Sequence, residues 1–251
     1  HNSYIEHIVS NNETNEIIDD NGNIFLAKSI IGADSINGIS RKFVIGSDTE
    51  SKQKKIFRAF SFKTSSYQLA RNSLQLIITS IGHFVIYPTI IDKKNATNYI
   101  FVSADDKSTP PVIHDKILSY LIPDDINWDT TFSTNSNEEN NTIHRNGVFL
   151  VGDASIAMPP HIAQAGNQTL EDAAFIKKCL QENNDFKQMI SMFIKQRYIK
   201  RNIISKKSRS IGKILSAQKL MGHFRNLTLK SYGNEILETV LNPIWTSEIN
   251  E

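Results

Sequence analysis

The sequence predicts a mixed α/β fold, and three observations predict it. Apolar runs of strand length, several of them alternating, recur within residues 1–31, 56–62, 74–79, 84–87 and 99–102. At residues 148–151 a further apolar run, Val148-Phe149-Leu150-Val151, stops at Gly152-Asp153. After a loop it gives way to Leu170, Ala173, Ile176 and Leu180 at helical spacing. Residues 186–220 then hold a helical period long enough for a long helix, with Ile190, Ile194, Tyr198, Ile204, Ile211 and Leu215 on its apolar face.

Taken in order, residues 4–9 alternate in part, residues 10–15 are polar turn material, and Glu16, Ile17 and Ile18 resume the pattern. Asp20-Asn21-Gly22-Asn23 predicts a hairpin, because Asn-Gly tolerates positive φ. Ile24-Phe25-Leu26 supplies the next strand. Ser29-Ile30-Ile31-Gly32-Ala33-Asp34 is a short apolar strand running into Gly and Asp, with a helix start beyond it; alone it reads as a plain β-turn. Between residues 56 and 102, successive strands separated by turns imply an antiparallel sheet, one face of which can wall a pocket. Arg58, His83 and Tyr87 are the candidates to line it, and each is otherwise an ordinary surface or half-buried residue. Trp128 is assigned to packing, and residues 135–141 (NSNEENN) to a solvated loop.

The richest stretch is 148–174. It runs strand, carboxylate, proline loop, small-residue turn (Ala165-Gly166-Asn167) and helix. An Asp at a strand's carboxyl end can accept hydrogen bonds from hydroxyls, and the free N–H groups of a helix start can face an anion. The same order is also ordinary punctuation, with Asp153 as a turn or cap residue; spacing alone leaves both readings open. The helical stretch after it carries Lys195, Arg197, Lys200, Arg201, Lys206, Lys207, Arg209 and Lys213, mostly away from its apolar face. A basic amphipathic helix can bind a membrane or an acidic partner; a solvated face is the simpler expectation.

The totals bound the partners. At 251 residues the chain fills one large domain or two small ones, and a net charge of +2 is too near neutral to imply nucleic acid. The single cysteine, Cys179, allows no internal disulfide and suits a cytoplasmic setting; a buried, inert thiol is its expected role. No apolar run reaches the roughly 18 residues of a membrane span, no signal peptide is visible, and no metal site is expected. The chain opens His1-Asn2-Ser3 without an initiator methionine, which predicts a fragment or a processed product.

Gly152-Asp153-Ala154, Pro159-Pro160, Gln164-Ala165-Gly166-Asn167 and Glu171-Asp172-Ala173, in that order, resemble the second flavin-binding motif of the FAD-dependent aromatic hydroxylases, the group A flavoprotein monooxygenases of the salicylate and urate hydroxylase type. Residues 30–41 resemble that family's other internal fingerprint, an apolar strand, Gly-Ala-Asp-Gly, then Ser and Arg, with Ser35 at the second Gly position. Gly82 to Pro88 resembles the strand ending in a Pro near the flavin ring. Arg197, Arg201 and Ser208-Arg209 match the family's long helix, and residues 221–226 its tail.

The resemblance implies a partial FAD-binding, Rossmann-like domain in residues 1–46 and 131–182. It implies an antiparallel substrate domain inserted at 47–130 and a C-terminal helical region at 183–251. It also implies FAD as cofactor, NADPH or NADH as co-substrate, and hydroxylation of an aromatic or related small organic substrate with O2. Asp153, beside Gly152 and Pro160, would accept a ribityl hydroxyl. The N–H groups of Ala165, Gly166 and Asn167 would stabilise negative charge on the N1–C2 edge of reduced flavin. Asp34 and Arg41 would lie near the dinucleotide. No catalytic acid or base is singled out.

Three departures accompany it. The family opens with a strand, a Gly-x-Gly-x-x-Gly turn and a helix that seat the pyrophosphate. No such spacing occurs here, so that portion is expected in cis or in trans. Ala165 stands at a family Gly position, where its methyl would crowd the flavin if φ must be positive. Ile156 replaces a frequent His. A truncated or degenerate, non-catalytic piece, or a binding module acting through the basic helix, is the alternative.

Overall fold

The computed structural model describes residues 3–11, 14–46, 55–65, 69–70, 72–79, 82–103, 130–136, 142–182, 185–217 and 219–245, with the backbone alone for 55–61, 103, 130–136 and parts of 237–245. Trp128 and residues 137–141 of the expected loop lie outside them. In chain order the strands are β1 (Ile5–Ser10), β2 (Asn15–Asp19), β3 (Ile24–Ala27) and β4 (Ile30–Gly32). Helix α1 (Ile39–Ile45) precedes β5 (Lys55–Thr64), β6 (Gln75–Ile78), β7 (Gly82–Ile91), β8 (Lys94–Ser103), β9 (Thr130–Ser136), β10 (His144–Arg145) and β11 (Val148–Leu150). Then come the short α2 (Gly152–Ser155), a 3₁₀ turn (Pro160–Ile162), α3 (Ala165–Gln181) and α4 (Phe186–Phe193). The last of these continues through a π-helical turn (Ile194–Tyr198) into α5 (Ile199–Leu215), and α6 (Lys219–Trp245) follows. The mixed α/β class is the one the sequence predicts.

The chain divides into two units, one of residues 1–55, 135–208 and 238–251, the other of residues 56–134 and 209–237. In the first, β1, β2 and β3 form an antiparallel meander. The predicted hairpin at Asn21-Gly22 forms, with Gly22 at φ 76°. Asp19 organises it, accepting the N–H of Asn21 at 3.0 Å and of Asn23 at 2.8 Å. A second sheet has the order β10-β11-β4. In it β4 and β11 run parallel, with Val148 opposite Ile30 and Leu150 opposite Gly32. The two strands that lead into the Gly–Asp sequences are therefore neighbours.

Val148, Phe149 and Leu150 are fully buried, as a continuous apolar run in a parallel pair must be. Phe149 meets Phe193 edge-on with ring centroids 4.8 Å apart. Val44 of α1 and Met189 and Ile190 of α4 close the same core. Burying one such side chain contributes about 1.5–3 kcal/mol.

In the second unit the sheet order is β6-β7-β8-β5-β9. The pairings β6–β7, β7–β8 and β5–β8 are antiparallel. Phe62 stacks on Tyr99 at 4.5 Å and Phe84 packs against Phe101 at 4.8 Å. Strand β7 runs past Pro88, where the sequence pattern suggests a stop. Pairing with β6 ends at Ile86, so beyond it β7 is hydrogen-bonded on its β8 side alone, a place where a residue without an N–H is tolerated. The long helix expected over 186–220 ends at Leu215, and Leu220 belongs to α6, which kinks at Tyr232 (φ −129°). Among the described residues no helix is long and apolar enough to cross a membrane.

Candidate functional site

Strand β11 delivers its backbone into a sharp change of direction. Gly152 takes φ 56°, a left-handed value that glycine adopts without strain. A Cβ there would come within 3.3 Å of the Thr169 side chain, so the α2 turn sits directly on the first turns of α3. The Gly152 N–H donates to Asp172 Oδ2 at 3.3 Å. Asp153 follows at the carboxyl end of the strand, 38% exposed, and its Oδ1 accepts no hydrogen bond among the described residues. Arg201 Nη2 lies 3.6 Å from that oxygen, near enough for charge attraction and too far for a hydrogen bond. Burial pushes the Asp153 carboxyl above its ordinary range; the Asp172 carboxylate adds to this and Arg201 opposes it.

The other Gly–Asp sequence reaches the same place. Asp34 accepts the Ser40 N–H at 2.8 Å and the Ser40 hydroxyl, capping the first turn of α1. Ser35, which stands where the family has glycine, takes the left-handed φ of 71° itself. Arg41, buried at 7% exposure, donates through Nη1 to the carbonyls of Ala154 and Ser155, the latter at 3.1 Å. So Asp34 and Arg41 have internal partners: one orders α1, and the other ties α1 to the Asp153 turn.

A charged cluster backs this turn. Asp172 is 1% exposed and accepts from Arg197 Nε and Arg201 Nη1, each at 3.0 Å. Arg201 is 0% exposed and also donates to the Ile156 carbonyl at 2.9 Å. Arg197 further binds Glu171 and both the carbonyl and the side-chain oxygen of Gln168, while Lys200 reaches Glu171 at 3.0 Å. Burial pushes the Asp172 carboxyl up, against the pull of Arg201 and Arg197. Burial also acts upward on Glu171, but hydrogen bonding to Lys200 and the Arg197 charge hold its carboxyl below the ordinary range. Ser208 extends the seam by donating to the Pro159 carbonyl at 2.8 Å.

One sequence expectation is corrected here. Arg197, Lys200 and Arg201 are neither a solvated face nor a membrane or partner surface; they are buried against Glu171 and Asp172. Of the helical stripe Leu170, Ala173, Ile176 and Leu180, Ile176 is buried, while Leu170 is 71% and Leu180 55% exposed. The inward face is Gln168, Asp172, Ile176 and Cys179, with polar residues taken in because the arginines meet them. Ala173, Ile176 and Leu180 instead line an apolar groove beside Ile31 and Val151. Cys179 is buried, as expected, and burial raises its thiol pKa.

Ala165, Gly166 and Asn167 form the first turn of α3 rather than a turn before it. The left-handed residue nearby is Ala163 (φ 52°), so Ala165 is free of the crowding expected for it. A helix start leaves its first N–H groups without intrahelical partners. Here Gln164 provides no side-chain cap and no acidic residue occupies the first turn. Pro160 opens the 3₁₀ turn just before, which carries buried His161; burial lowers that imidazole's pKa to about 4.

In the second unit, positions 83 and 87 share one face of β7. His83 is buried, and the Tyr87 hydroxyl accepts from Asn98 Nδ2 at 2.6 Å. Arg58 lies in β5, and its side chain is outside the described residues. Asn98, opposite Tyr87, is the polar neighbour that strand alternation alone does not single out.

Solved structures share this arrangement of elements. Klebsiella pneumoniae HpxO, determined with FAD and uric acid, matches over 99% of this chain and 67% of its own, with a TM-score of 0.74 and 14% identity. A salicylate hydroxylase substrate complex matches over 97% of this chain and 67% of its own, at 0.69 and 19%. The fold is that of the FAD-dependent hydroxylases. The 2,6-dihydroxypyridine-3-hydroxylase of Arthrobacter nicotinovorans matches over 85% of this chain and 64% of its own, at 0.65 and 14%. This chain thus spans about two thirds of the length of these hydroxylase-fold proteins. No protein-family model and no curated protein sequence matches it.

Proposed function

We propose that this chain is the flavin-holding part of an FAD-dependent monooxygenase. It would use NADPH or NADH and O2 to hydroxylate a small aromatic or related organic compound. The observation that carries the reading is Asp153: a carboxylate at a strand's carboxyl end, its side chain 38% exposed and its buried Oδ1 without a hydrogen bond among the described residues. Its environment suits a hydroxyl donor, and a ribityl chain supplies hydroxyls. The start of α3 suits the electron-rich edge of a flavin, because a helix start leaves its first N–H groups without intrahelical partners, and here neither an N-cap side chain nor an acidic residue of the first turn takes them. These residues fit the cofactor.

Bound FAD would supply the hydride-accepting and oxygen-activating chemistry. The chain would supply placement: Asp153 fixes the ribityl chain, the N–H groups of Ala165, Gly166 and Asn167 stabilise negative charge, and Pro160 and Gly152 shape the approach. Asp34 and Arg41 act at one remove, by holding α1 and the Asp153 turn together. The face of β7 bearing His83 and Tyr87 is proposed as part of a substrate wall. Uric acid in HpxO, and the names of the salicylate and dihydroxypyridine hydroxylases, support a small ring compound as substrate.

The test is FAD titrated into the full-length polypeptide, followed by flavin fluorescence. Asp153→Ala removes one charge-assisted hydrogen bond and should weaken FAD binding about tenfold to a hundredfold. Affinity unchanged by that substitution would refute the role of Asp153.

A further inference from the structure

Arg201 touches Asp153 without bonding to it, and its other bonds fix it there. The guanidinium is completely buried. Nη1 is held by Asp172 Oδ2 at 3.0 Å, and Nη2 by the Ile156 carbonyl at 2.9 Å. With both ends anchored, the same Nη2 stands 3.6 Å from Asp153 Oδ1. A planar fork held at two points cannot swing in to close that gap. The Asp153 carboxylate therefore feels a fixed positive charge at its buried, unbonded Oδ1, while 38% of the side chain stays exposed.

We infer that Arg201 is a positioning residue for flavin binding: its fixed charge stands behind the buried Oδ1 of Asp153 and leaves the exposed part of that carboxylate side chain for a ribityl hydroxyl. This rests on the reading of Asp153 given above. The groups that face Asp153 are Arg201 from α5 and Asp172 from α3, with Arg197 of the π-helical turn reaching Asp172 from its other side. Burial and Asp172 both favour the protonated form of Asp153, and Arg201 is the opposing charge. A protonated Asp153 is a weaker acceptor, so flavin affinity must fall on the acid side, and the Arg201 charge sets where that fall begins.

The experiment is FAD affinity of the full-length polypeptide as a function of pH, in the wild type and four variants. The wild type should lose affinity as pH drops, and Asp153→Asn should bind more weakly with no such acid limb. Arg201→Gln should move the limb to higher pH, and Arg201→Lys, which keeps a charge but not the fork, should return it part of the way. Asp172→Asn removes the like charge and should move the limb to lower pH. Arg201→Lys serves even if Arg201→Gln does not fold, because it keeps a positive charge beside Asp172 and should still place the limb at higher pH than in the wild type.

A purely structural role for Arg201 predicts weaker binding at every pH with the limb unmoved. A limb abolished by Asp153→Asn but unmoved in every folded variant at Arg201 and Asp172 would overturn the inference and leave Asp153 as a flavin ligand. A limb that survives Asp153→Asn would overturn the inference as well. No FAD binding by the wild type, or unchanged affinity in Asp153→Asn at all pH values, would overturn the reading of Asp153 and the inference with it.

Discussion

His161 is the side chain whose protonation most directly links this region to pH. Burial in the 3₁₀ turn lowers its pKa from 6.5 to about 4, so the folded chain refuses a proton that the unfolded chain accepts. Between those two values the unfolded state binds more protons, and stability must fall as pH drops through the window, by up to about 3 kcal/mol. His161→Gln cannot titrate and should lose that part of the acid slope; melting temperatures near pH 7 and near pH 5 measure it. An acid slope identical to that of the wild type would contradict the account. Residue-level legibility was uneven. Asp153, with the unbonded oxygen, stands out through the motif it resembles, since its place after an apolar run alone also suits a turn or cap residue. Arg201 was written into a basic helix, because nothing local says that its partner is Asp172, 29 residues away. Ala163, with its left-handed φ, carries no glycine signal at all.

Elements are easier to read where burial follows the apolar run, as in β11. They are harder where polar partners replace it. Helix α3 turns Gln168 and Asp172 inward beside Ile176 and Cys179, so apolar spacing alone does not mark its buried face. The β7–β8 hairpin turns on Asp92 (φ 47°) and Lys93 (φ 64°), a pair that lacks the Asn-Gly signature of the first hairpin. The packing of β4 on α1 yields a sharp prediction. A Cβ on Gly32 would lie 2.1 Å from Ser40 Oγ and 2.4 Å from Ser40 Cβ, so Gly32→Ala must force the strand and helix apart. The cost should be about 1–3 kcal/mol, seen as a lower urea midpoint. Adding Ser40→Gly should recover part of it, but not all, because the Ser40 hydroxyl bond to Asp34 is lost.

At the scale of the molecule, a ligand that binds only the folded chain must stabilise it. FAD at about 100 times its dissociation constant should add about 2.7 kcal/mol to the unfolding free energy. Asp153→Ala should need correspondingly more FAD for the same rise in melting temperature, and an equal rise at equal FAD would count against the proposed site. Parallel pairing has a consequence for how the chain is made. Arg41 and its acceptor Ala154 stand 113 positions apart, and β4 meets β11 across the same span. A ribosome adding about 5–20 residues per second needs roughly ten seconds to cross it. For that interval β4 and α1 emerge without β11 and the Ala154 carbonyl that they later meet, while the β5–β8 strands are synthesised. The nascent chain thus carries an open strand edge until β11 arrives, which makes that interval its most exposed to misassociation.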